Sequence, residues 1–186
     1  MNNPVLDFFK SNIGKSFGEV SPSPFGRWLN GMLIDVEEGS LTAEYIVRKD
    51  MYNPGGIMHG GVATGIMDDL IGITVFSTGT QIFYASVNLS VDFLFSAKPD
   101  DKLIAKTKIV RMGKKIAHAE GEIRNEAGQI IAKCTTNLVA TSNEGFADTL
   151  ARDHGEAGLL ESRGRGNKDT APMLPPTKPP EAPTTA

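Results

Sequence analysis

The sequence predicts an α+β domain built from one long buried helix and several antiparallel strands. Apolar residues fall at helical spacing on more than one side of residues 60–77, which indicates a helix buried nearly all round. Residues 86–95 alternate apolar and polar side chains, the pattern of a strand with one buried face. The predicted order along the chain is a short helix, two strands, the long helix and four more strands.

The N-terminal segment carries signals for a short helix and a turn. Apolar side chains at helical spacing in residues 5–12 predict an amphipathic helix, which Gly14 ends. Pro22, Pro24 and Gly26 then predict a turn, because proline and glycine interrupt regular structure. We expect residues 1–25 to be this helix and the lead-in to the main domain.

Six strands are expected before and after the long helix. Their predicted ranges are 28–37, 40–48, 86–95, 102–112, 115–125 and 129–141. Short glycine-containing turns would join neighbouring strands as antiparallel hairpins. In the third strand, strict alternation puts Val87 on the buried apolar face and Ser86 on the opposite polar face.

Length and composition limit the class of protein. The 186 residues, 40% of them hydrophobic, allow one domain, which we assign to residues 26–142. Residues 143–186 are expected to be a mostly disordered tail, since 164–186 hold six prolines and few large apolar side chains. The net charge of −3 gives no field that would attract nucleic acid. One cysteine, no signal peptide and no bilayer-spanning stretch together predict a cytoplasmic protein.

The most informative segment is residues 53–61, which holds four glycines and leads directly into the long helix. Glycines before a helix let a ligand approach the backbone N–H groups at its positive end. The alternative is that Gly60 and Gly61 only allow the helix to pack closely on the sheet. His59 likewise either takes part in chemistry or only caps the helix.

Two adjacent carboxylates, Asp68 and Asp69, interrupt the apolar helix. A carboxylate in such a helix is costly unless it has a partner or a function. The two point about 100° apart, and Asp69 is the better candidate for a solvated position. Asp68 follows Gly60 by eight residues, which is about 12 Å along a helix. One substrate atom cannot contact both within one chain, so the spacing predicts a site shared between two subunits.

The remaining chemistry-bearing residues have simpler explanations. His59, His118 and His154 lack the spacing of metal ligands, so we expect neither a metal nor a cofactor. Cys134 falls on the apolar face of the last strand and is expected in the core. The sequence contains no nucleophile elbow and no phosphate-binding loop of the Gly-Lys-Ser/Thr type.

Four residues occur in a specific order around this helix. Asn53 precedes His59 by six residues, Asp68 follows it by nine, and Ser86 lies in the next strand. In these spacings, residues 25–142 resemble the PaaI-like branch of the hotdog-fold acyl-CoA thioesterases. The resemblance implies a long central helix wrapped by an antiparallel sheet. It also implies a homodimer, or a pair of dimers, with the sites at the subunit interface.

The resemblance further implies a role for each residue in hydrolysing an acyl-CoA to a free acid and CoA. The Gly60 N–H, within the His59-Gly60-Gly61 motif, would bind the oxyanion together with the helix dipole, and Asn53 would orient the carbonyl. His59 would fix the turn and have a smaller role at the carbonyl. Asp68 of the other subunit would act as general base or nucleophile, and Ser86 would hold Asp68 or the water.

Coenzyme A carries phosphates, so basic side chains are expected at the entrance. Arg111, Lys114 and Lys115 are the best candidates, with Lys98 a weaker one, although a solvated turn explains the first three equally well. Two other functions remain open. One is a non-catalytic hotdog module that binds acyl-CoA. The other, less favoured because the expected histidine pattern is absent, is a hotdog dehydratase or hydratase.

Overall fold

A six-stranded antiparallel sheet forms the framework, with strand order β1-β2-β4-β5-β6-β3. The structure is a computed structural model that describes residues 3–141. The strands are β1 (Met32–Glu37), β2 (Ser40–Ile46), β3 (Tyr84–Phe93), β4 (Lys102–Met112), β5 (Ile116–Asn125) and β6 (Ile130–Ala140). The helices are α1 (Pro4–Ser11), α2 (Phe17–Val20), α3 (Pro24–Leu29) and α4 (Gly60–Phe76), with a 3₁₀ turn at Lys49–Met51.

The long helix α4 packs on one face of this sheet and confirms the predicted α+β architecture. Its buried side chains are Val62, Ala63, Ile66, Met67, Leu70, Ile71, Thr74 and Val75. The Thr74 hydroxyl donates to its own helix at Leu70 O and lies 2.6 Å from the Thr107 hydroxyl of β4. Burial is not complete all round, however, because a face that includes Gly61, Asp68 and Gly72 remains exposed.

The N-terminal segment differs from the sequence prediction between residues 17 and 31. Pro24 and Gly26, which were expected in a turn, instead lie in a helix, α3, and the Ser23 hydroxyl caps it by accepting from the Gly26 N–H. The strand predicted from residue 28 therefore begins only at Met32, after Asn30 turns the chain with a φ of 56°. The short helix α2 was also not predicted. The first helix, by contrast, lies within a residue or two of its predicted range.

The edge strand β3 carries a β-bulge that changes which side chains face α4. The register with β6 shifts between Ser86 and Asn88, so Val87 is the extra residue. Ser86 consequently contacts α4 although it was predicted on the opposite face, and Val87 is 62% exposed although it was predicted to be buried. Beyond the bulge, Leu89 and Val91 pack against the core as expected.

Two other expectations concern the core and the tail. Cys134 is buried, as predicted. Within residues 3–141, no helix is both long and apolar enough to cross a bilayer. The predicted tail at 143–186 lies outside the described residues.

Candidate active site

The glycine turn prepares the N-terminus of α4. His59 is the N-cap residue, and its Nδ1 accepts a hydrogen bond of 2.8 Å from the Gly61 N–H. The His59 N–H donates to the Met51 carbonyl at 2.8 Å, which ties the turn to the preceding 3₁₀ turn. Because Nδ1 accepts, the neutral imidazole carries its proton on Nε2. The Gly60 N–H meets no acceptor among residues 3–141 and lies at the positive end of the helix.

Asn53 shapes the same turn through its side chain. Its Oδ1 accepts hydrogen bonds from the Gly55 N–H at 2.9 Å and from the Ile57 N–H at 3.4 Å. The amide nitrogen Nδ2 is therefore the end of this side chain that can donate to a ligand. Asn53 and Gly60 line one pocket of about 420 Å³ together with the apolar side chain of Phe93.

Close packing also explains why Gly60 has no side chain. A Cβ at this position would lie 3.1 Å from the ring of Phe93, which covers the start of α4. Close packing, one of the two interpretations of this glycine from the sequence, is therefore observed, whereas ligand binding by its N–H stays a prediction.

The second part of the candidate site is the pair formed by Asp68 and Ser86. Asp68 lies on the exposed face of α4, and its Oδ1 accepts a hydrogen bond of 2.8 Å from the Ser86 hydroxyl. The bulge at Val87 makes this contact possible because it turns Ser86 toward the helix. One carboxylate oxygen is thereby oriented, while the side chain stays accessible to solvent and substrate.

The neighbouring Asp69 has the environment opposite to the one predicted. It is the more buried of the two carboxylates, and its Oδ2 is buried without a hydrogen-bond partner among the described residues. Helix α3 covers it, since a Cβ on Gly26 would lie 2.9 Å from that oxygen. Burial raises the pKa of Asp69 to about 6. The Ser23 side chain opposes this rise, and the charge of Asp68 adds to it.

Tyr45 is a second buried polar group, and no sequence pattern singles it out. Its hydroxyl also lacks a hydrogen-bond partner within residues 3–141. Burial is the main cause that raises the pKa of Tyr45, and the charge of Asp69 adds to it. The Oδ2 atom of Asp69 and the hydroxyl of Tyr45 are thus buried, whereas the pair of Asp68 and Ser86 is exposed.

The predicted basic residues lie at both ends of β3. Three exposed residues, which we call the basic hairpin, lie at the end of β4 and in the turn to β5: Arg111, Lys114 and Lys115. The Tyr84 hydroxyl donates to the carbonyl of Gly113 in this hairpin at 3.0 Å. None of the three cations pairs with a carboxylate within residues 3–141, whereas other sheet lysines do. Lys98 is exposed in the loop after β3, next to the glycine turn.

Among the described residues, no group of three histidine, cysteine or carboxylate side chains is arranged to hold a metal ion. The candidate residues fall into two groups, which we call half-sites. The first contains the glycine turn, and the second contains Asp68 with Ser86. A long helix on a wrapped antiparallel sheet, with a glycine turn at the helix start, defines the hotdog class of proteins.

Comparison with known proteins finds similarity to one family. Residues 55–132 match the model of the thioesterase superfamily. A putative esterase from Archaeoglobus fulgidus is 27% identical over 121 residues, which are 65% of this chain and 77% of the relative. Human acyl-coenzyme A thioesterase 13 is 22% identical over 102 residues, which are 54% of this chain and 73% of the relative.

Solved structures support the same fold. The PaaI protein of the Escherichia coli phenylacetic acid degradation operon aligns with a TM-score of 0.65 and 18% identity, covering 74% of this chain and 96% of that one. A hypothetical thioesterase from Streptococcus pneumoniae, solved with coenzyme A, aligns with a TM-score of 0.58 and 24% identity, covering 61% of this chain and 90% of that one. The predicted family, the hotdog fold and the class of thioester hydrolase are confirmed.

Proposed function

We propose that the protein hydrolyses acyl-CoA thioesters at a site formed by two copies of the chain. The observation that carries this proposal is the separation of the half-sites along the exposed edge strand β3. Ser86, with Asp68, lies near one end of the strand, and Phe93, which covers Gly60, lies at the other end. Ser86 and Phe93 are seven positions apart, which corresponds to roughly 23 Å along a strand.

A second copy would bring the two half-sites together. A two-fold axis near the middle of β3 would pair the β3 strands of two subunits in antiparallel fashion. In such an isologous interface, the start of β3 in one subunit lies beside the end of β3 in the other. Asp68 of one subunit would then face Gly60 of the other. The exposed side chains of Val87 and Phe93, at 62% and 57%, support burial of this edge in a dimer.

The chemistry follows from the groups that each half-site presents. The Gly60 N–H and the positive end of α4 would stabilise negative charge on the thioester oxygen, and Asn53 Nδ2 would donate to it as well. In one route Asp68 takes a proton from a water molecule as that water attacks the carbonyl carbon, the tetrahedral intermediate collapses, and the carbon–sulfur bond breaks. In the other, Asp68 itself attacks that carbon and displaces CoA, and water then hydrolyses the resulting anhydride to the free acid and restores the carboxylate. In both routes CoA leaves as a thiolate, which needs no strong general acid, and the proton released from water passes to the thiolate or to solvent.

The charges of the surface suit the CoA part of the substrate. The basic hairpin is joined to the Ser86 end of β3 through Tyr84, so its three cations would lie beside the shared site. Their lack of carboxylate partners within residues 3–141 leaves them available to phosphate. Lys98 would approach from the other subunit, beside the glycine turn.

Thiol release from a panel of acyl-CoAs tests this function, with Asp68→Asn as the variant. We expect turnover by the wild-type protein and a loss of at least about a hundredfold in the variant, because removing a catalytic base typically costs that much. Asp69→Asn is the matched control, since that carboxylate lies beneath α3. Saturable binding of acyl-CoA without turnover by the wild-type protein would instead favour the non-catalytic binding module.

A further inference from the structure

Two aromatic side chains of α3 stack on each other, and one of them, Phe25, lies against α4. The rings of Phe25 and Trp28 have centroids 5.7 Å apart and planes inclined by 21°. Phe25 covers Gly65 so closely that a Cβ there would lie 2.5 Å from the ring. Gly65 and Asp68 are three residues apart, so they share a helix face with about 5–6 Å between their Cβ positions. The Phe25 ring therefore covers α4 about one turn before Asp68.

The position of this pair is fixed from a second side by Arg48. Its guanidinium lies 5.4 Å from the centre of the Trp28 ring and donates to the carbonyls of Trp28 and Leu29 at 2.6 and 2.8 Å. Asp50 accepts from the same guanidinium at 3.1 Å. Arg48 also begins the segment that leads to the glycine turn. The aromatic pair is thus held by stacking, a cation–π contact and backbone hydrogen bonds.

This well-fixed pair is nevertheless open to solvent, since Phe25 is 46% and Trp28 is 39% exposed. Leaving an ordered apolar surface in water has a cost that a ligand would relieve. Within the catalytic proposal no role falls to these rings, although Phe25 lies one helical turn from the carboxylate. The surface is apolar and flat, and it is suited to a hydrocarbon chain or an aryl ring.

The direction of the substrate is set by charge. The phosphates would be held by the basic hairpin, which lies toward the C-terminal end of α4, because Thr74 near that end bonds Thr107 on the strand leading to the hairpin. Phe25 lies on the N-terminal side of Asp68. A substrate that is anionic at one end and apolar at the other would place its acyl group on Phe25.

We propose that Phe25 is a specificity-determining residue that contacts the apolar acyl group of the thioester, with Trp28 as its positioning residue. This inference rests on the proposed function. It predicts that acyl groups long or broad enough to reach one helical turn beyond the reacting carbon are preferred over acetyl. Gly65 is then required so that the ring can lie close to the helix.

The test compares kcat and KM for acetyl-, hexanoyl-, decanoyl- and benzoyl-CoA in the wild-type protein, Phe25→Ala, Phe25→Leu and Phe8→Ala. Phe8 is the matched control because it is an aromatic residue of similar exposure on α1. The quantity compared is kcat/KM for hexanoyl-CoA divided by kcat/KM for acetyl-CoA. We expect Phe25→Ala to lower this ratio roughly fivefold, mainly through KM, because the longer acyl group loses an apolar surface on which it is half buried. Phe25→Leu should restore part of the ratio for aliphatic substrates and less of it for benzoyl-CoA.

Several outcomes would overturn the inference. An unchanged ratio in Phe25→Ala, an equal loss for every substrate, or the same change in Phe8→Ala would each do so. If the wild-type protein hydrolyses no member of the panel, the proposed function itself fails and the inference falls with it. The two failures are thus distinguished by the wild-type measurement alone.

Discussion

Replacing Asp69 with asparagine should stabilise the protein at neutral pH. The folded-state pKa of this carboxyl is about 6, raised from the ordinary value of 3.8 mainly by burial. Between these two values the folded chain binds more protons than the unfolded chain, so stability falls as the pH rises from about 4 to 6. Above that range the loss is complete. A shift of about two units corresponds to at most roughly 3 kcal/mol.

Asparagine removes this cost because it keeps the size of the protonated acid and cannot ionise. We expect Asp69→Asn to raise the free energy of unfolding by about 2 kcal/mol at pH 8, since some of the shift is relieved by local relaxation, and to leave it unchanged at pH 4. Urea denaturation followed by circular dichroism at both pH values measures the difference. Curves for variant and wild type that stay parallel from pH 4 to 8 would refute the reasoning. Asp68→Asn, on the exposed face, is the control.

Three further changes test the remaining contacts. Ser86→Ala removes the hydroxyl that orients Asp68. We expect kcat to fall about tenfold, which is the equivalent of roughly 1.4 kcal/mol, with little change in KM. An unaltered kcat would contradict the orienting role. Neutralising the basic hairpin with glutamine should raise KM for acyl-CoA in a salt-dependent way but leave KM for a phosphate-free thioester unchanged, and equal effects on both would refute phosphate binding. His59→Ala should cost about 1 kcal/mol in thermal denaturation because the Gly61 N–H loses its acceptor, whereas His59→Asn should keep the cap.

The fold was predictable where one strong periodic signal dominates. Helix α4 and the three strands that end the domain agree with their predicted ranges to within about two residues, because their burial follows the repeats of a helix and a strand. Helix α3 was not predicted because it has only six residues and contains a proline and a glycine, which usually indicate turns. The helix is supported by a serine cap and by contacts with α4, and a short stretch of sequence does not show those contacts.

The residues of the candidate site could be proposed from sequence spacing, whereas several of their contacts could not. The spacing of Gly60 and Asp68 along a helix already indicates two separate half-sites. The contact of Ser86 with Asp68 depends on the bulge in β3, which is defined only by pairing with β6. The burial of Asp69 depends on α3. No sequence pattern indicated Phe25, because its contact with Gly65, forty residues away, is formed only in the fold.

The central claim is that one site needs Asp68 from one subunit and Asn53 with Gly60 from the other. Asp68→Asn and Asn53→Ala should each be nearly inactive alone. We would unfold and refold the two variants together in equal amounts and measure thiol release. If the site is shared, half of the dimers are hybrids with one intact site each, and activity should return to about a quarter of the wild-type level. No recovery, in a mixture shown to contain hybrid dimers, would contradict the account.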